Sequence, residues 1–279
     1  MTTASGPSPP PVAARPDRSR SLAAGVARSE WTKLRSVRST YWTLLVAAAG
    51  MVAFGALLCA SFVRSYTDHA ADPAGFDPAG YSLSGFFIAQ LAIGTLGVVV
   101  ITSEYQTGSI RATLAATPQR PIVLAAKAAV FATVAAVTGI VASLASFLVG
   151  QAILSDKDIQ THLSDPGALR SVLGCSLYLA LVGLLGLGIG TLIRRTAGAI
   201  ATLVGLIIIL PVLVQGLPVT WQDTITRYLP SIAGQVVIGH TRFTPPGQQL
   251  TPWAGLGLFC AYTAATLIAA TIALNRRDA

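Results

Sequence analysis

The sequence predicts an all-α integral membrane protein with six transmembrane helices. Composition is the first reason: 53% of the 279 residues are hydrophobic and 11% are charged, whereas a soluble domain carries about a quarter charged residues. So few charges cannot cover a water-facing surface. Patterning is the second: the apolar residues are blocked into six runs, each near the roughly 20 residues that cross a hydrocarbon core as a helix. Third, the run interiors hold no Asp, Glu, Lys, Arg or His and show no alternation at period two. That argues against a transmembrane barrel and for helices, which satisfy their own backbone groups in lipid.

Residues 1–28 are rich in Pro, Ser, Ala and Arg, and 1–21 are expected to be a disordered tail. A secretory signal would place a short apolar core close to the start; the first apolar run begins only near residue 41, so no cleavable signal is expected. Residues 22–40 read as a helix lying in the membrane interface. Leu22, Val26, Leu34, Val37 and Tyr41 recur at near-helical spacing, Trp31 lies on the flank, and Lys33, Arg35 and Arg38 supply a basic side. The spans of the membrane domain, 22–279, are expected near 41–63, 83–102, 127–154, 171–193, 197–217 and 253–274.

Single residues within the spans have local readings. Gly186 and Gly190 in span four have the small-x-x-x-small spacing that lets helices approach closely. Pro211 in span five removes a helix hydrogen bond and predicts a kink. Cys59, Cys175 and Cys260 each stand alone, without metal-ligand spacing, and read as buried free thiols. Between spans five and six, residues 218–252 are amphipathic but too short to cross, and short external helices dipping back toward the membrane are expected there. Asp223 and Arg227, one turn apart, read as a solvated pair worth little.

Charge sets the orientation. Residues 1–40, 103–127, 194–196 and the C-terminal tail hold 14 of the 19 basic residues, while 64–82, 155–170 and 218–252 hold five. Positive residues stay cytoplasmic, so both termini are expected in the cytoplasm. The same distribution accounts for the net charge of +8 by topology and attraction to anionic lipid; no nucleic-acid partner is expected.

One polar stretch interrupts the membrane pattern: TSEYQTGSIRATLAATPQRP, residues 102–121, in the loop after span two. Glu104 closes span two at the membrane face and Gly108 lets the chain turn. Ser109 can cap a new helix through its hydroxyl. Residues 110–117, which include Arg111, suit about two helical turns, with Ile110 and Leu114 on one face, Thr113 and Thr117 beside them, and Pro118 as the terminator. Two readings fit: a surface turn on lipid headgroups, or a plug for a cytoplasmic partner.

At these residues the chain resembles the permease subunits of type-2 (ABC-2 type) ABC transporters, of the actinobacterial kind. The order E-x-x-x-G-S/T, aliphatic residues, then Pro is met by Glu104, Gly108, Ser109, Leu114 and Pro118. SEWTKLRSVRSTYW (29–42) resembles the family's N-terminal interfacial helix, and RYLPSIAGQ (227–235) its external segment between spans five and six. The likeness covers roughly 25–279; Ala115 and Ala116 stand where larger aliphatics are common. It implies that 109–117 is a coupling helix and that the interfacial helix packs against it, with Glu104 contacting Lys33, Arg35 or Arg38. It also implies an apolar constriction near the outer end of span five, with Leu210, Pro211, Leu213 and Val214 as candidates; an ordinary lipid-facing stripe fits those residues too. The implied activity is ATP-driven transport in the bacterial cell membrane, with export of a hydrophobic or amphipathic substrate.

The sequence contains no G-x-x-x-x-G-K-S/T phosphate loop. ATP and Mg are therefore expected on two copies of a separate ATPase subunit, and a second permease copy or paralogue is expected to complete the unit; no cofactor is expected on this chain. Two alternatives belong to other classes. A membrane sensor or assembly protein would have no ATPase partner. A membrane-embedded lipid-modifying enzyme would need ionisable residues within its spans or metal spacing such as H-E-x-x-H, and neither is present; no catalytic or metal site is expected.

The orientation is tested with introduced cysteines. Asp156→Cys and Gln248→Cys should react with an impermeant thiol reagent added outside intact cells, and Gln119→Cys should not. The reverse pattern would invert the topology.

Overall fold

The computed structural model describes residues 17–66, 76–116, 119–239 and 249–276, with the side chains of 17–23, 116 and 223 left aside. The expected disorder before residue 17, the terminator Pro118 and the Asp223 carboxylate thus lie outside the described residues. Within them every regular element is helical. Six helical stretches are long and apolar enough to cross a membrane, which fits a multi-pass membrane protein. Exposed Trp31, Tyr41 and Trp42 stand at one end of the bundle, and exposed Trp221, Tyr228 and Trp253 at the other, as aromatic belts do at the two interfaces.

Helix α1 (Asp17–Ser36) begins five residues before the expected start and stops four before the expected end. Val37, with φ −90° and ψ 107°, is extended and separates it from α2 (Arg38–Ser65). The apolar stripe is therefore split: Val26 and Leu34 are buried, while Val37 and Tyr41 face outward. Val26 packs with Val123 and Ala126 at the start of span three.

After the distal loop, α3 (Pro78–Leu83) is capped by Asp77, whose side chain accepts from the Gly80 amide, and α4 (Phe86–Thr107) forms span two. α4 passes its expected end by five residues because nothing stops it before Gly108. There φ is +71°, a left-handed conformation that glycine adopts without strain. α5 (Ser109–Ala116) follows at once. α6 (Arg120–Leu154) is 35 residues long and starts earlier than expected because Pro121 sits in its first turn, where a fixed φ suits the helix. Its length of about 52 Å exceeds the roughly 30 Å of a hydrocarbon core.

Span four, α7 (Ala168–Ile193), is the most buried of the six. It packs against α4, α6 and span six, α12 (Pro252–Arg276). Gly183, Gly186 and Gly190 meet α4, while Gly188 meets α12 and Gly174 meets Val237. A Cβ added at Gly97 would lie 2.1 Å from the Gly183 carbonyl oxygen, and one at Gly186 would lie 2.4 Å from the Gly94 oxygen. The two backbones touch, so the glycine stripe serves packing within the chain, against Gly94 and Gly97 of span two.

Span five is broken. α8 (Thr196–Val204) runs into a π turn, Gly205–Ile209, and then α9 (Leu210–Val214). Pro211 has no N–H to give, and the wider turn before it absorbs the resulting misfit. Beyond lie α10 (Val219–Ile225) and α11 (Pro230–Gln235). The segment from Ser231 to Ile238 is buried against α7 and α12, held partly by a polar chain: Gln235 donates to the Tyr178 hydroxyl (3.2 Å), which donates to Gln90 (2.6 Å). Cys59 and Cys175 are buried as expected, but Cys260 is exposed, because it lies on the exposed side of α12 with Trp253, Gly257, Ala261 and Ala264.

The α4–α7 contact yields a prediction. Gly97→Ala should lower stability by about 1–3 kcal/mol, the usual cost of overpacking. Gly257→Ala, where an added Cβ meets nothing within 4 Å, should be neutral or slightly stabilising. Thermal unfolding in detergent, followed by labelling of buried Cys175, separates the two; equal melting would contradict the backbone contact.

Candidate functional site

The end of the bundle that carries α1 and the last turn of α12 also gathers four charged side chains from three helices. α1 contributes Glu30 and Lys33, one turn apart; α4 contributes Glu104, and α6 contributes Lys127. The Lys33 ammonium donates to Glu30 Oε1 at 2.8 Å and to Glu104 Oε1 at 3.0 Å. Lys127 donates to the same Glu104 oxygen at 2.8 Å and to Glu30 Oε2. The pairs close into a ring of alternating sign. Thr113 of α5 joins it, accepting from Lys33 at 3.4 Å.

Burial makes the ring consequential. Glu30 and Lys127 are 2% exposed and Glu104 is 7% exposed, so three of the four charges have left bulk water. Each such charge costs several kcal/mol to desolvate and is tolerated only with partners in good geometry. Lys33 is the half-exposed member. Burial alone would lower its pKa, but the hydrogen bonds it donates to Glu30 and Glu104, and their charges, outweigh that and raise it above the ordinary 10.5. Its contribution is fully present below that ordinary value and is lost only as pH rises through the raised one.

The base of α4 is held on its other side as well. Thr196, opening span five, donates to Thr102 at 2.8 Å, and Gln106 donates to Thr196 at 3.0 Å. The Arg194 guanidinium lies 5.1 Å over the Tyr105 ring. Span two is therefore tied to α1 and α6 through charge and to span five through hydroxyls. Among the described residues, no group of three or more His, Cys, Asp or Glu side chains could hold a metal ion.

Of the residues singled out from sequence, Glu104 and Lys33 are brought together. Arg35, Arg38 and Trp31 are exposed on or just after α1 and lie outside the ring. Gly108 makes the turn. Ser109 does not cap α5: it is the first helical residue, and its hydroxyl pairs with Thr107 at 3.0 Å. Ile110 and Leu114 do not form an outward plug. Ile110 is 3% exposed in the main core, and Leu114 packs between that core and the Val26–Val123–Ala126 cluster. An amphipathic two-turn helix turns its aliphatic side to the nearest apolar surface, which here is its own bundle. The outward face of α5 is Ser109, Arg111, Ala112 and Ala115.

The span-five candidates do not share one wall. Pro211 and Val214 are buried, Val214 and Leu210 packing with Leu229 and Ile232, while Leu213 is exposed on the opposite side. α11 covers the inner side of this turn, so the four residues cannot act together as one ring.

Glu30 and Lys127 went unrecognised in the sequence. A signal exists for Glu30: it is the only acidic residue between Asp17 and Asp68, within a strongly basic stretch. Lys127 carried none, since it stands where a lysine flanking a span would stand.

The ring predicts coupled energetics. Glu30→Gln should cost about 3–5 kcal/mol, because Lys127 then loses one of its two buried carboxylate partners and Glu104 alone must face both lysines. Glu30→Gln combined with Lys127→Met should cost clearly less than the two single changes summed. Denaturant unfolding of the four proteins in micelles gives the coupling; additive losses would contradict the pairing. From the sign of the Lys33 shift, spin labels at exposed Thr32 and Thr107 should keep a constant separation from pH 6 to 9 and move apart only above about pH 10.5.

No protein-family model matches this chain, and no curated protein matches it.

Proposed function

We propose that the chain is the permease subunit of an ATP-driven transporter of the ABC-2 type. It sits in the bacterial cell membrane with both termini cytoplasmic and is energised by a separate ATPase that binds ATP and Mg. The observation that carries this reading is the buried ring of Glu30, Lys33, Glu104 and Lys127. A protein with six apolar helices gains little stability from burying three charges and half of a fourth, since a well-packed apolar replacement is commonly as stable. Such a ring does make α1, α4 and α6 move as one piece, with α5 attached through Thr113 and through Gly108.

The mechanism follows from those connections. The ATPase docks on the outward face of α5, around Arg111, Ala112 and Ala115. Its closure on ATP displaces α5 and the base of α4. The ring carries α1 and α6 along, and the Thr102–Thr196 contact passes the displacement to span five, whose π turn and Pro211 make it the most deformable span. Two copies of the chain enclose the path, and a hydrophobic or amphipathic substrate is exported along apolar walls. Ile110 and Leu114 anchor α5 and do not contact the partner.

The test is affinity purification in mild detergent. The wild-type chain should co-elute with an ATPase carrying a phosphate-binding loop. Ala115→Trp should lose it without any change in the chain's own melting temperature. Leu114→Asp should lower the melting temperature itself, by burying an unpaired carboxylate. If no ATPase accompanies the wild type, the transport reading falls; if Ala115→Trp retains it, the docking face is wrong.

A further inference from the structure

Beside the charge ring lies a groove of about 370 Å³ between the end of α1, the extended Val37, the first turn of α2 and the outer side of α4. Its walls differ from end to end. Leu96, Val99, Val100 and Ser103 line one wall, at i, i+3, i+4 and i+7 of α4, so they form one helical stripe about 10 Å long. That stripe is apolar where it enters the membrane span and becomes polar at Ser103 and Glu104. The opposite wall, at the Ser36–Thr40 turn, offers three hydroxyls and the Val37 side chain. Val99 is exposed, so the groove opens sideways along the bundle's lipid-facing surface.

Lys33 is the ring member that lines the groove and remains accessible, and Arg35 and Arg38, outside the lining, are exposed on either side of the Val37 turn and add positive charge to this end of the bundle. At the inner end Glu104 Oε2 is buried and accepts no hydrogen bond among the described residues. A buried carboxylate oxygen without a donor is costly, and it marks a place where a donor from an occupant would be accommodated.

We infer that this groove is a binding site for an anionic glycerophospholipid with a hydroxyl-bearing headgroup, of the phosphatidylglycerol type. The phosphate lies against Lys33 and the hydroxyls of the Ser36–Thr40 turn. The headgroup hydroxyl sits at Ser103 and supplies the donor that Glu104 lacks, and the first part of an acyl chain runs along Val100 and Leu96 into the bilayer. The volume suits a headgroup and the start of one chain, with the remainder lying in lipid. Basic recesses between helices at a membrane edge recognise anionic headgroups in this way. The inference needs the chain to be in a membrane but does not depend on an ATPase.

The experiment is native mass spectrometry of the delipidated full chain titrated with phosphatidylglycerol. Wild type should retain one lipid per chain at a concentration where Val99→Trp, whose indole enters the groove from its open side, retains at most a tenth as much. Leu173→Trp, on the exposed side of α7, should behave as wild type. Equal retention by wild type and Val99→Trp would overturn the site. Equal binding of phosphatidylcholine would overturn its headgroup selectivity. Displacement by millimolar inorganic phosphate alone would make it a free-anion site and overturn the lipid assignment. Val100→Trp repeats the test from the groove floor if Val99→Trp does not fold.

Discussion

A lysine that is 2% exposed must keep its counter-charges, and in this protein that requirement ties the basic end together. Lys127 can be buried only because Glu30 reaches it from α1 and Glu104 from α4. Glu30 and Glu104 in turn are held by Lys33. None of the four can leave without stranding another in a poorly solvated place. α1, an amphipathic helix that could otherwise lie loosely on a bilayer, is thereby fixed in register against spans two and three, and its Val26 is delivered to the apolar patch at Val123.

The second inflexible contact is of a different kind. Spans two and four meet backbone to backbone where Gly97 faces the Gly183 carbonyl and Gly186 faces the Gly94 carbonyl, leaving no room for a side chain at Gly97 or Gly186. Dispersion and close packing, not charge, hold that seam, as suits helices surrounded by lipid. Together the two contacts make α1, α4, α6 and α7 one body. Span five contrasts with it: α8 packs on α4 and α7 through Ala199 and Leu203, but beyond them a π turn, a proline and a mostly exposed outer side leave its far half held by Ile207 and α11. A displacement applied at α5 has a stiff route to span two and a compliant element at the end of that route.

Much of this was legible from residues alone, and the reasons are physical. Six blocks of apolar residues can be nothing but helices in lipid, so element type and number followed from run length. Gly108 at the turn and the glycines of span four followed from what a missing Cβ permits. Glu104 stood out as a lone acid at a span edge; its basic partner on α1 was implied only by the resemblance, which did not choose among Lys33, Arg35 and Arg38. Helix ends fared worse. α4 and α6 overran their apolar runs because polar residues such as Glu104 and Arg120 can be helical wherever a partner waits, and hydropathy does not register partners.

The sequence by itself determined the solvent, the number of spans, the uneven charge between the two faces and the presence of a short helix after span two, since each depends on composition or local order. The tertiary structure decided which side of that short helix faces out. Ile110 and Leu114, aliphatic knobs in one dimension, turn inward because a nearby apolar surface of the same chain competes for them and wins by proximity. It also decided that Glu30 and Lys127, 97 residues apart in the chain, share one buried ring. Long-range pairing is a property of three-dimensional position, and no local pattern of residues encodes it.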